Sequence, residues 1–179
     1  MITLTILILA AVISIAFLLH VARGRALAIR SLEELDGRTQ PVDLSAFRNL
    51  VDAAEEDFLR VNLPATDFRA LQRVRMRAAL EYVRRIAHNA TILLRLGEAA
   101  GESADPEIAA AGRELASSAL HLRVNAMLGL LVLYTRMVAP GMRIRVSRVI
   151  ETYQQSTDRV VRLTRLQNPA YTARVAAVI

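Results

Sequence analysis

Residues 2–22 read ITLTILILAAVISIAFLLHVA, an apolar run without one charge, closed by Arg23, Gly24 and Arg25. At a rise of about 1.5 Å per residue the run covers roughly 31 Å as a helix, about the hydrocarbon thickness of a bilayer. Its hydroxyls, Thr3, Thr5 and Ser14, can bond back to carbonyls of their own helix, so no backbone group need stay unpaired in lipid. The run is therefore expected to be a transmembrane helix. A cleaved signal peptide would begin with basic residues and have a shorter core; here the arginines come after the run. Arg23, Arg25 and Arg30 lie after it and none before, which places the amino terminus outside a cytoplasmic (inner) membrane and the rest of the chain in the cytoplasm. Glu33, Glu34 and Asp36 count for little in that rule. His20, with no partner motif, fits an interfacial ring better than an axial ligand to haem or a chlorophyll. Ala10 and Ser14 form a small-xxx-small pair, a pattern common by chance.

Composition bounds the remainder of the chain. Hydrophobic residues make up 54% of the 179, too many for a disordered tail, while aromatics at 4% and the lack of Trp make the core aliphatic, as suits helix packing. The absence of Cys excludes disulfides, thiolate metal sites, lipoprotein attachment and cysteine nucleophiles. All 23 basic residues are Arg, which GC-rich coding explains; each is nonetheless a permanently charged planar fork suited to phosphate or carboxylate. The excess is local: residues 61–100 hold 7 Arg against 3 acids and residues 140–179 hold 7 against 2, whereas the other segments are near neutral.

The expected fold class is all-α: a single N-terminal transmembrane helix followed by a helical bundle of three long helices plus one or two short ones. The anchor helix and its cytoplasmic extension occupy 1–36, a linker 37–42, the bundle 43–167 and an apolar tail 168–179. Asp43 has the look of a helix cap, with Leu44, Phe47, Leu50, Val51, Phe58 and Leu59 at roughly helical spacing and a second short helix beginning after Val51-Asp52. Leu63-Pro64 breaks the chain. Thr66 or Asp67 then caps a long helix to about Ala100, whose apolar side is Phe68, Leu71, Ala78, Ala79, Tyr82, Ile86, Ala90, Leu93 and Leu94. Asp105-Pro106-Glu107 opens the next helix with a cap, a first-position proline and a first-turn acid, and it should run to about Val138 before Pro140-Gly141. Within it Ala126 to Tyr134 is apolar throughout. Arg123 and Arg136 leave only about 18 Å of uncharged helix between them, too short to span, so this is expected to be the central core helix rather than one lying in the membrane surface. The last helix spans about 142–166 and Asn168-Pro169 ends it.

Several groupings bear on chemistry. Glu81 and His88 lie seven apart on one helix, Glu114 and His121 seven apart on the next, and pairing about Gly101 would set each Glu against a His, as in a bundle metal site. The first pair sits on an Arg-rich stripe and the Glu-x-x-His spacing of di-iron bundles is missing, so solvated ion pairs are the preferred reading. Glu55, Glu56 and Asp57 point about 100° apart on a helix and fit a solvated face better than a cation site. Glu114, Ser118, His121 and Asn125 form a polar line suited to a register-fixing network. Asn89-Ala90-Thr91 is a glycosylation triplet discounted for its mid-helix position, and Gly97 and Gly101 merely flank a helix end. No nucleophile elbow or Gly-rich phosphate loop occurs.

The function expected is non-enzymatic: an interaction or scaffold module, or an accessory subunit of a membrane complex, with a protein partner or a homo-oligomer docking on Arg69, Arg73, Arg77, Arg84, Arg145, Arg148, Arg159 and Arg162. The alternative is that these arginines engage anionic lipid headgroups of the bilayer. A metal-binding bundle ranks third. Nucleic-acid binding ranks last, because few aromatics are interleaved with the basic residues. No cofactor is expected. The two leading readings part on layout: convergent Arg rows favour lipid, scattered or acid-paired ones favour a scaffold.

Overall fold

The computed structural model describes residues 38–138 and 147–167. The apolar run at 2–22, the tail at 168–179 and Arg145 lie outside them. Among the described residues there are five α-helices and no strand: α1, Leu44–Leu50; α2, Ala53–Asn62; α3, Ala65–Gly101; α4, Pro106–Val138; and α5, Ser147–Gln167.

Local chemistry sets the starts. Asp43 caps α1, its Oδ1 accepting from the Ser45 amide at 2.9 Å and the Ala46 amide at 3.0 Å. The Ser45 hydroxyl and these amides hold its carboxyl below the usual range despite some desolvation. Asp105 caps α4 through the Glu107 amide, as expected, and Asp52, after which the second short helix is expected to begin, caps α2 through the Ala54 amide. The start of α3 differs from expectation. Neither Thr66 nor Asp67 caps it; Pro64 occupies the cap position with no side-chain bond, and its carbonyl accepts from the Phe68 amide at 2.9 Å. Thr66 Oγ1 instead donates to Asp67 Oδ1, so the two candidate caps engage each other.

α3, about 55 Å long at the standard rise, forms a hairpin with α4, and α5 returns along α4. The antiparallel senses are fixed by pairs: Gly97 lies against Gly112 and Ala116 while Arg84 bonds to Tyr134, and on the other side Glu114 meets Arg162 while Asn125 meets Thr152. α4 is thus the central helix. On α3 the buried apolar positions include Met76, Ala79, Val83, Ile86, Ala90, Leu93, Leu96 and Ala100, a three-four repeat rotated slightly from the expected set; Leu71 is exposed and Tyr82 half-buried. Phe58, expected inside, is 65% exposed.

Two apolar clusters make up the core. One gathers Phe47, Val83, Ile86, Leu122, Leu133 and Tyr153; the other gathers Leu93, Leu96, Leu115, Ala119, Val160 and Leu163. Between them lies a polar layer, where Ser118 and Ser156 share a buried hydroxyl bond of 3.0 Å and Asn89 donates to the Tyr153 hydroxyl at 3.1 Å. Burial raises the Tyr153 phenol above its ordinary value, against the lowering effect of Asn89.

The hairpin closes on small residues. A Cβ on Gly97 would lie 2.5 Å from the Ala116 nitrogen and 2.8 Å from the Gly112 oxygen, so the two backbones meet there with no room for a side chain. Gly97 does more than flank a helix end.

Candidate interaction surface

The segment 37–42 is expected as a linker, and its described part is instead a strap fastened to the bundle. Asn89, fully buried, holds Gln40 by both backbone groups: its Oδ1 accepts from the Gln40 amide at 2.9 Å and its Nδ2 donates to the Gln40 carbonyl at 2.7 Å. His88 Nε2–H donates to the Arg38 carbonyl at 2.9 Å, a contact that a carbonyl can make only as acceptor. The buried Asn89 side chain also takes the glycosylation triplet out of reach. Its polarity suggests a surface position; its partner 49 residues away explains the burial.

Each of the four candidate metal ligands has another place. Glu81 pairs with Arg85 at 3.2 Å, His88 binds the strap, Glu114 pairs with Arg162 at 3.0 Å, and His121 is exposed. The facing arrangement fails on register, because the helices meet at Gly97 with Gly112 and at Arg84 with Tyr134, which shifts Glu81 well beyond His121. Among the described residues no group of three His, Asp or Glu is placed to hold a metal.

The acidic triplet is solvated only in part: Glu55 and Asp57 keep their side chains half-exposed, while Glu56 is turned in, and all three have arginine partners. Glu55 pairs with the buried guanidinium of Arg75, which also donates to the Asn49 and Leu50 carbonyls and so closes the C-terminus of α1. Glu56 meets Arg136 of α4 and Arg60, and Asp57 meets Arg60 at 3.5 Å. Desolvation pushes the Glu56 carboxyl up, but hydrogen bonding and charge from Arg136, with help from Gln72 and Arg60, bring it below its ordinary value. α2 is thereby tied to α3 and α4.

These pairs change the reading of α4. Arg123 and Arg136, expected to bound its uncharged run, are only 8% and 9% exposed and turn inward. Burial, then the nearby Arg95, lower the Arg123 pKa from its ordinary value. The outward side of α4 therefore carries Leu120, Val124, Leu128, Leu131 and Tyr134 in one stripe, each 37–49% exposed. By length and composition, Pro106–Arg136 is the one helix among the described residues long and apolar enough to cross a membrane.

The expected arginine surface divides. Arg84 is engaged with the Tyr134 hydroxyl at 2.7 Å, Arg159 with the Glu114 carbonyl and Arg162 with the Glu114 carboxylate. Arg69, Arg73 and Arg77, at four-residue spacing on the outer side of α3, and Arg148 on α5 are exposed, with no ion pair among the described residues. The polar line on α4, expected as a buried network, forms in part: Ser118 and Asn125 bond to Ser156 and Thr152 at the α5 seam, Glu114 meets Arg162 at the exposed surface, and His121 stays outside. A shallow depression of about 440 Å³ over the end of α5, lined by Asp158, Val161, Arg162, Arg165 and Leu166, gathers no catalytic grouping.

Comparison of the chain with protein-family models, with curated proteins and with solved structures finds no match.

Proposed function

We propose that the chain is a non-enzymatic single-pass membrane protein, anchored by residues 2–22 with its amino terminus outside, whose cytoplasmic helical domain is an interaction module, a scaffold or the accessory subunit of a membrane complex. One observation carries this reading. Among the described residues the fold pairs Arg60, Arg75, Arg85, Arg95, Arg136 and Arg162 with its own acids, yet leaves Arg69, Arg73 and Arg77 in a row with none. The expected arginines do not form one surface, since Arg84, Arg159 and Arg162 are engaged within the bundle; this divided layout favours a protein partner, and the three uncompensated charges on α3 raise the local potential and suit its acidic surface. Val74 beside them, 60% exposed, adds an apolar contact.

The test is native mass and subunit composition after extraction in mild detergent. A larger assembly with a stoichiometric second subunit is expected, released by high salt and by the Arg69→Glu/Arg73→Glu/Arg77→Glu variant. A bare chain at low salt, or an assembly indifferent to the triple reversal, would sink the reading.

A further inference from the structure

Resting on the anchored topology proposed above, we infer that the outward face of α4 lies on the anionic surface of the membrane that holds the chain. Leu120, Val124, Leu128, Leu131 and Tyr134 recur at spacings of four, four, three and three, which keeps them on one side over about 21 Å of helix. The charged residues of α4 over this length are directed elsewhere: Arg123 inward, and Arg136 to Glu56. Arginines border the face on both sides. On the α3 side Arg84 reaches the Tyr134 hydroxyl; on the α5 side Arg159 and Arg162 are held at Glu114. An apolar stripe with a guanidinium at each margin is the layout of a helix lying in the headgroup plane, where the stripe enters the acyl boundary and the arginines meet phosphates.

Area and charge separate this occupant from the others. Taking roughly 200 Å² for a fully exposed large side chain, the five exposures amount to on the order of 400–500 Å², well short of the roughly 800 Å² per partner of a standard protein interface. A second copy would bring basic margins against basic margins. A bilayer needs no minimum area, and each arginine near an anionic surface strengthens docking about fivefold, so Arg84 and Arg159, which face no acid, together contribute roughly thirtyfold, with Arg162 already balanced by Glu114.

The chain contains no cysteine, so single reporters can be placed cleanly. The full-length protein carrying Val124→Cys or Leu131→Cys, labelled with an environment-sensitive fluorophore, would be placed one chain per nanodisc containing doxyl-labelled lipid. Gln154→Cys, exposed on α5, is the reference. Quenching at both α4 positions well above the reference is expected in discs of phosphatidylcholine with phosphatidylglycerol. It should fall to the reference in phosphatidylcholine alone, and in the Arg84→Gln/Arg159→Gln/Arg162→Gln variant with unchanged helicity. Absence of quenching, or quenching indifferent to lipid charge, overturns the inference. So does a label shielded from water but not reached by lipid, which would mean a protein segment covers the face, or shielding seen only with two chains per disc. Failure of the anchor reading looks different, since the chain would then not enter the discs at all.

Discussion

Replacing Gly97 by Ala tests the close approach of α3 and α4. Helix propensity alone favours the change, by about 0.8–1 kcal/mol at an interior position. The new Cβ, however, would stand 2.5 Å from the Ala116 nitrogen, 2.8 Å from the Gly112 oxygen and 2.9 Å from the Ala116 Cα, where ordinary contact begins at 3.4 Å. These neighbours are backbone, so the helices must part by roughly 0.5–1 Å, which forfeits a quarter to a half of each dispersion contact nearby. Leu93, Leu96, Ala100, Leu115 and Ala119 share that cluster and lose with it. Overpacking costs about 1–3 kcal/mol in general, and here, against backbone that cannot turn aside as a side chain does, the upper part of that range applies, about 2–3 kcal/mol. Set against the propensity gain, the net loss should be about 1–2 kcal/mol, a fall of roughly 4–8 °C in Tm for a domain of this size. Gly101→Ala is the matched control: its Cβ would meet only the flexible Arg113 side chain and the Arg113 nitrogen, no closer than 3.5 Å, so its effect should be neutral or slightly stabilising. Thermal unfolding followed by circular dichroism in mild detergent reads both. A Gly97→Ala protein as stable as wild type, or more so, would refute the close-packing argument.

Asn89→Asp keeps the acceptor for the Gln40 amide but loses the donor to the Gln40 carbonyl and the Tyr153 hydroxyl; a loss of about 2–4 kcal/mol is expected, with faster hydrogen exchange at Gln40. The double change Ser118→Ala/Ser156→Ala removes both partners of one buried bond at once and should alter stability by less than about 1 kcal/mol, as thermal unfolding would show. Glu56 has a folded-state pKa below its ordinary 4.5, so its contribution is present above that value and is lost as pH falls through the folded one. Glu56→Gln should therefore be less stable than wild type at neutral pH, with the gap narrowing below about pH 4.5; a gap constant down to acid pH counts against the Arg136 pairing.

What could be seen in the sequence was what local chemistry decides. Asp43 and Asp105-Pro106 mark helix starts because a cap needs only the next three amides, and the α4 polar line showed through because four polar residues interrupt an otherwise apolar helix. What escaped notice depends on distant partners. Arg75 and Asn89 are buried, as their polarity would not suggest, because each satisfies backbone groups from a segment that precedes it by 25 residues or more. Arg123 and Arg136 count as helix charges in any linear tally, yet they turn inward, so the apolar outer face of α4 emerges only in three dimensions. Likewise the role of Gly97 is invisible until Ala116 is seen against it.

The strap at residues 38–41 bears on mechanics. A flexible connector wanders by roughly 5–6 Å times the square root of its length, and residues fastened to a folded body contribute nothing to that excursion. Here residues 38–40 are fastened to the flank of α3 at the level of His88, about two thirds of the way along that helix, before the chain reaches the first turn of α1. A pull applied at residue 38 therefore loads the His88 and Asn89 hydrogen bonds, along the length of α3, before it reaches the Asp43 cap of α1.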